Sequence, residues 1–192
     1  NLALLYQKLG NMGEAKLLFR RDATGSEETF GPQHPMTLLS KNNLAGFLYT
    51  QGDVNDAKSL FEEVLTVRRE ILGPAHGDTL TSMNNLGSLL QDIGEWEESE
   101  SLYRSALEGR TELYGHRHPD TLRCAHNLAT LLQARGNLVE AEELFRRTLR
   151  SNEETLGKDH EDTLDSVDGL ASLLEEVGKV EEAKTLYQRR NA

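Results

Sequence analysis

The sequence predicts an all-α protein: a right-handed α-solenoid, or superhelix, of stacked antiparallel helix pairs with about five repeats. Three observations predict this fold class. Glycines and histidines recur every 42 residues, each copy contains two apolar stripes of helical periodicity, and small side chains recur at positions that face large ones. Because one helix pair cannot bury both of its stripes, neighbouring copies have to stack on one another.

The 42-residue spacing relates one set of histidines, one of threonines and two of glycines. These are His34, His76, His118 and His160; Thr37, Thr79, Thr121 and Thr163; Gly31, Gly73, Gly115 and Gly157; and Gly10, Gly52, Gly94, Gly136 and Gly178. The spacing predicts a single array with repeat units at about 1–35, 36–77, 78–119, 120–161 and 162–192. Since the first unit is cut inside its first helix, we expect the chain to be a fragment of a longer protein.

The second copy shows how each element is predicted. An apolar stripe at Leu44, Phe47 and Leu48 indicates a first helix, which Gly52 interrupts, and Asp53 can cap the next helix. A second stripe then follows, at Ala57, Leu60, Phe61, Val64 and Leu65. Gly73 suits a residue with positive φ that closes this helix, and Pro74 prevents its continuation. A polar N-cap for the next helix lies between His76 and Thr79, and the pattern leaves open which residue it is.

Small and large side chains alternate at the positions where helices approach. The small residues are Ala57, Ser99, Ala141 and Ala183 on second helices, and Ala45, Gly87, Ala129 and Ala171 on first helices. Four residues after the first set come Phe61, Tyr103, Phe145 and Tyr187. A small residue opposite a large one lets neighbouring helices interlock at ordinary packing distance.

The segment from Asn127 to Phe145 carries the pattern N-L-A-x-L-L-x₃-G-x₃-E-A-x₂-L-[FY], which resembles the tetratricopeptide repeat (TPR). Residues that match the packing signature of that family are Leu128, Ala129, Leu132, Ala141 and Phe145. With 42 residues and an L-G-x₂-H-P-x-T-L linker, the copy is similar to the long repeats of kinesin light chains. The resemblance implies a protein-binding scaffold whose groove is the inner face, lined by the first helix of each repeat.

The segment from His118 to Leu132 contains two histidines, an aspartate and the only cysteine, so a metal or nucleophile site has to be considered. His118 is one of the linker histidines that recur in four copies, and Cys124 matches Ser40, Ser82 and Ser166, a position that requires a small side chain. Cys124 and His126 are two apart on a helix and point to nearly opposite faces. We therefore predict no catalytic site, no metal site and no cofactor, and the protein is not expected to be an enzyme.

Composition narrows the partner class. The formal net charge of −11 argues against nucleic-acid binding, which requires clustered Lys and Arg. No apolar run is long enough to cross a bilayer, so we expect no membrane partner. A single cysteine and the absence of a targeting pattern favour a cytoplasmic location.

A ladder of amides lies just before the signature leucine of each copy. It comprises Asn1, Asn43, Asn85 and Asn127, with Gly169 in the fifth copy. The full set of predicted peptide-binding groove residues is Asn42, Asn43, Tyr49, Asn84, Asn85, Gln91, Arg123, His126, Asn127 and Gln133. An amide can pair with a peptide N–H and C=O together. Alternatively, the asparagines satisfy neighbouring side chains between copies.

The predicted partner is a protein or peptide with a neutral segment, whose basic residues meet the acidic fifth copy at Asp165, Asp168, Glu175 and Glu176. Tetratricopeptide domains that clamp an acidic carboxylate usually need Lys or Arg on this face, and only Lys8, Lys41 and Arg123 could serve. Two alternatives stay open: a structural spacer that self-associates through exposed repeat ends, and the regulatory array of a larger enzyme or signalling ATPase.

Overall fold

The computed structural model describes residues 2–190, which form ten helices joined by short turns and contain no strand. The helices are α1 (Leu2–Lys8), α2 (Met12–Phe30), α3 (Pro35–Thr50), α4 (Val54–Leu72), α5 (Gly77–Asp92), α6 (Trp96–Tyr114), α7 (Pro119–Ala134), α8 (Leu138–Leu156), α9 (Glu161–Glu176) and α10 (Val180–Arg190). The predicted alternation of first and second helices is therefore present.

The chain divides into two compact units, Asn1–Ile93 and Gly94–Ala192. In the first unit, α2 and α3 run antiparallel. Ser26 contacts Ser40, and Gly31, which follows Ser26 in the chain, accepts a hydrogen bond from Thr37, which precedes Ser40. In the same unit α3 and α5 run parallel, since Asn42 contacts Asn85 and Tyr49, seven residues later, contacts Asp92, also seven residues later. In the second unit, α6, α7 and α8 pack in the same order as α8, α9 and α10. The division into five repeat units of a single array stays a prediction.

The histidines cap the first helices, which answers the question left open by the sequence. The Nδ1 atoms of His34, His76, His118 and His160 accept hydrogen bonds from the backbone N–H two residues later, all at 3.2 Å. In two copies a proline follows the capping histidine in the first turn, where a missing N–H leaves no bond unmade. The His-Pro element is thus a helix start.

The two ends of α4 show one wrong prediction and one confirmed one. Asp53 precedes α4 but makes no side-chain capping bond, and its carboxylate instead pairs with the ammonium group of Lys16 on α2. The predicted cap therefore serves as a link between neighbouring second helices. Gly73 closes α4 at φ 88°, a backbone conformation that glycine adopts readily and other residues avoid.

The small-against-large pattern forms the core. Ala45, Ala57, Ala129 and Ala141 are fully buried, as are the larger Phe61 and Phe145. In the second unit a single apolar cluster joins α6 to α10 around Phe145. Close helix packing at alanine therefore leaves the adjacent large rings to fill the space between helices.

A buried polar contact recurs where a second helix meets the next first helix. The guanidinium group of Arg68 donates to the carbonyl of Asp78 at 3.1 Å and to Ser82 Oγ at 2.8 Å. Asn152 Nδ2 donates to the equivalent carbonyl of Asp162 and to Ser166 Oγ, at 3.1 and 2.9 Å. In the sequence these contacts are marked only by a polar residue among the apolar residues of the second helix. The apolar stripe does not identify the hydrogen-bond partner of that polar residue.

Residues 2–190 contain neither a candidate membrane-spanning helix nor a candidate metal-binding group. No helix there is long and apolar enough to cross a membrane. No group of three or more His, Cys, Asp or Glu side chains in the same part of the chain could hold a metal ion.

Candidate peptide-binding groove

In the first unit the predicted groove residues lie on two neighbouring first helices. Asn42, Asn43 and Tyr49 belong to α3, and Asn84, Asn85 and Gln91 belong to α5. Several of them line a cavity of about 400 Å³, together with Leu4 and Gln7 of α1. Asn1, the first member of the predicted ladder, lies outside the described residues. Asn42, Asn43, Tyr49 and Asn85 border this cavity, whereas Asn84 is buried and, like Gln91, does not border it.

One member of the ladder, Asn85, pairs with an asparagine beside the ladder on the neighbouring first helix. Asn85 Nδ2 donates to Asn42 Oδ1 at 3.1 Å, which links α5 to α3. This contact supports the alternative role of the asparagines, in which they satisfy side chains between copies. An amide carries two donors and one acceptor oxygen, so this bond leaves capacity for a ligand at the same rung.

Tyr49 and Gln133 make the same kind of link further along their helices. The Tyr49 hydroxyl donates to Asp92 Oδ2, and Gln133 Nε2 donates to Glu176 Oε2 at 2.9 Å. Burial and the bond to Asp92 raise the pKa of Tyr49 to about 12, so its hydroxyl stays a donor at neutral pH. Each link joins residues that are 43 apart in the chain, and neither pair was predicted from the sequence.

Two of the three cations that could have bound an acidic partner are already engaged. Lys41 is buried, and its Nζ donates to Glu27 Oε1 and Glu63 Oε1, both at 2.8 Å. Burial by itself lowers the pKa of Lys41, but the bonds to the two glutamates outweigh it and raise the pKa. Arg123 pairs with Asp120 Oδ1 at 2.6 Å. Each of these two cations is therefore already paired with a carboxylate and offers little positive charge to an acidic ligand.

In the second unit, His126 and Gly169 stand at positions where earlier copies have asparagine. His126 stands where earlier copies have Asn42 and Asn84, and its ring packs edge-on against Phe145 with centroids 5.3 Å apart. A Cβ atom on Gly169 would lie 2.6 Å from Phe145 Cε1 and 3.0 Å from His126 Cε1. The missing amide of the fifth copy is thus a requirement of packing. Burial also lowers the pKa of His126, although Asp165 and Asp162 oppose this, so the ring is neutral at pH 7.

A second cavity, of about 300 Å³, lies between α7, α8 and α9. Its polar lining includes Arg123, His126, Asn127, Asp162 and Asp165. Thr148 and Asn152 of α8 complete the lining, and the sequence analysis missed both because they lie within an apolar stripe.

Cys124 has the environment of a structural thiol. It is fully buried, its sulfur lies 3.5 Å from the carbonyl oxygen of Tyr103, and burial raises its pKa to about 11. The thiolate, which is the reactive form, is therefore scarce at neutral pH. The predicted structural role of this position agrees with these contacts.

The sequence profile of the tetratricopeptide repeat family matches residues 37–112, 78–154 and 125–190, and a second profile of the same repeat matches residues 1–35. No curated protein sequence matches the chain. Among solved structures, a protein of Podosopora anserina described as a kinesin light chain with nearly identical TPR-like repeats is 28% identical, with a TM-score of 0.83. The match covers 99% of this chain and 90% of that one.

Two further structures show the same fold at lower identity. BtubC (BKLC) from P. vanneervenii is 22% identical with a TM-score of 0.85, covering 99% of this chain and 76% of that chain. MamA is 14% identical with a TM-score of 0.65, covering 99% and 92%. The predicted α-solenoid fold class and the resemblance to kinesin-light-chain repeats are confirmed.

Proposed function

Because the chain belongs to the tetratricopeptide repeat family, we propose that it is a non-enzymatic interaction scaffold that holds a segment of a partner protein in a groove lined by first helices. The observation that carries this proposal is the set of half-buried neutral amides beside a cavity of about 400 Å³. Amides that remain accessible on a rigid helix can pair with the backbone of a bound segment.

The charge of the groove favours a partner with basic residues. The first helix of the last copy, α9, carries six acidic side chains and no basic one. Arg123, on the neighbouring first helix α7, is held by Asp120, so it does not offset this charge. A neutral segment with basic residues directed at α9 complements this distribution better than an acidic one. A cytoplasmic scaffold also suits Cys124, the single cysteine, which has no disulfide partner within the chain.

Selection of a displayed random peptide library against the full chain tests the groove. We expect selected peptides to lose about tenfold in affinity on Asn43→Ala, because one hydrogen-bonded amide contact contributes about 1 to 1.5 kcal/mol. Asn85→Ala should lose affinity as well, together with some stability, since Asn85 bonds to Asn42.

The matched control is Asn55→Ala, which removes an exposed asparagine from the second helix α4. Its affinity should equal that of the wild type in calorimetric titration. Selection of no peptide, or equal losses for Asn43→Ala and Asn55→Ala, would remove the groove from the function.

Self-association through a repeat end is a second candidate, and one observation favours it. The helix α1 exposes Leu2, Leu4 and Leu5, and Leu9 follows in the next turn; their exposed fractions lie between 47 and 71%. Apolar side chains grouped in this way favour association. Light scattering over a concentration series should then show dimers that Leu5→Gln reduces, and a chain that is monomeric throughout would end this candidate.

A further inference from the structure

We propose that the cavity between α7, α8 and α9 is a specificity pocket for an arginine side chain of the bound partner. The inference rests on the proposed groove function and names one chemical feature of the ligand. The cavity measures about 300 Å³ and opens beside Asn127, a predicted groove residue.

The volume arises from a shortened side chain. Asn152 occupies the position that Arg68 and Arg110 hold in the two preceding copies. All three donate to the backbone carbonyl ten residues later, so the interhelical bond is kept. Asn152 reaches that carbonyl without the aliphatic stem and guanidinium group of an arginine. The space next to Asn152 therefore corresponds to the space that the guanidinium groups of Arg68 and Arg110 fill in the two preceding copies.

Two buried oxygen atoms at this cavity have no hydrogen-bond partner among the described residues. They are Thr148 Oγ1 and Asn152 Oδ1, on side chains that are 1 and 3% exposed. Thr148 replaces Val64 and Ala106 of earlier copies, so its hydroxyl is not needed for packing. An unmade buried hydrogen bond is unfavourable, and both atoms can accept one from a ligand.

The charge of the lining selects a cation. Asp162 and Asp165 of α9 contribute two negative charges, while Arg123 of α7 is paired with Asp120. A guanidinium group offers five N–H donors in a planar fork, which suits several acceptors and a carboxylate at once. It is also more weakly hydrated than an ammonium group, so it enters a buried site more readily than lysine does.

The probe is N-acetyl-L-arginine methylamide, added to the isotopically labelled full chain and followed by amide chemical shifts. We expect saturable shifts confined to α7, α8 and α9. The matched citrulline compound has nearly the same shape without charge, and we expect it to bind at least about tenfold more weakly. Equal affinity for the two compounds, or no saturable shift with arginine because only water enters the cavity, would overturn the proposal.

Two variants locate the binding in the pocket. Asn152→Arg supplies the chain's own guanidinium group, as Arg110 does in the preceding copy, and should abolish the arginine-dependent shifts. Thr148→Val keeps the shape of the side chain, removes one acceptor and should weaken binding several-fold, with the fold preserved. Arginine binding that neither variant changes would place the ligand elsewhere and contradict the proposal.

The outcomes separate this inference from the groove itself. If library selection yields peptides that need Asn43 while the arginine compound does not bind, the groove stands and the pocket fails. If the arginine compound binds while no peptide is selected, the site exists but its proposed role in partner recognition fails.

Discussion

Two junctions of the second unit perform the same structural task with different side chains. At the junction of α6 and α7, Arg110 is 1% exposed and donates to the carbonyl of Asp120 at 2.7 Å. At the junction of α8 and α9, Asn152 is 3% exposed and donates to the carbonyl of Asp162 at 3.1 Å. The backbone acceptor is equivalent in both copies, and only the length and charge of the donor differ.

The two junctions share one hydrogen bond to a backbone carbonyl, while the length of the side chain decides how much of the adjacent space is filled. Burial lowers the pKa of Arg110, although Cys124 and Asp120 oppose this, and the guanidinium group remains charged at any physiological pH. The shorter Asn152 carries no charge and leaves a polar cavity beside two unpaired oxygen atoms. One substitution within a repeat array can thus leave a polar cavity at one copy while the helices keep the same bounds relative to the repeat.

The largest expected effect comes from emptying the filled junction. Arg110→Ala removes the donor to Asp120 and leaves a cavity, so the free energy of unfolding should fall by about 3 kcal/mol or more in urea titration. Arg110→Asn introduces the residue type found at the later junction. Its free energy of unfolding should fall clearly less than that of Arg110→Ala, because an amide can still donate to the carbonyl of Asp120. Equal losses for the two variants would show that the shared hydrogen bond does not hold the junction.

An intermediate effect is expected at Gly169 of α9, which stands where earlier copies have the ladder asparagine. Gly169→Ala puts a Cβ atom 2.6 Å from Phe145 Cε1, so the buried ring has to move. We expect a loss of about 2 kcal/mol in the free energy of unfolding. Gly46→Ala in α3 is the matched control: its Cβ atom meets nothing within 4 Å and should stabilise the helix by about 0.5 to 1 kcal/mol. An unchanged free energy of unfolding in Gly169→Ala would contradict the packing role of Gly169.

The smallest effect concerns protonation of His126, which lines the open pocket. Its folded pKa lies below the ordinary value of 6.5, so folding favours the neutral ring. The resulting stabilisation is present above pH 6.5 and is lost as the pH falls through the folded pKa. Thermal unfolding between about pH 8 and about pH 5 should show a steeper loss for wild type than for His126→Asn, the residue type of earlier copies. Parallel curves would mean that His126 does not contribute.

Several parts of the site could be predicted from residues and spacing. The position of Cys124 was correctly interpreted as one for a small buried side chain, because three other copies have serine there. The amide ladder was found, but its internal bond between Asn42 and Asn85 was not, since those residues are 43 apart and belong to different helices. Asn152 could not be predicted either, because it lies within an apolar stripe and its hydrogen-bond acceptor lies on the next helix.

The sequence by itself determined the period, the helix pairs and the buried small residues, because helical periodicity and side-chain size are local properties. Tertiary structure decided which polar side chains face a neighbour and which face a cavity. That choice depends on the distance between two helices and on the length of the side chain between them. For this reason Arg110 and Asn152, at one position of the same repeat, end in a closed contact and an open pocket.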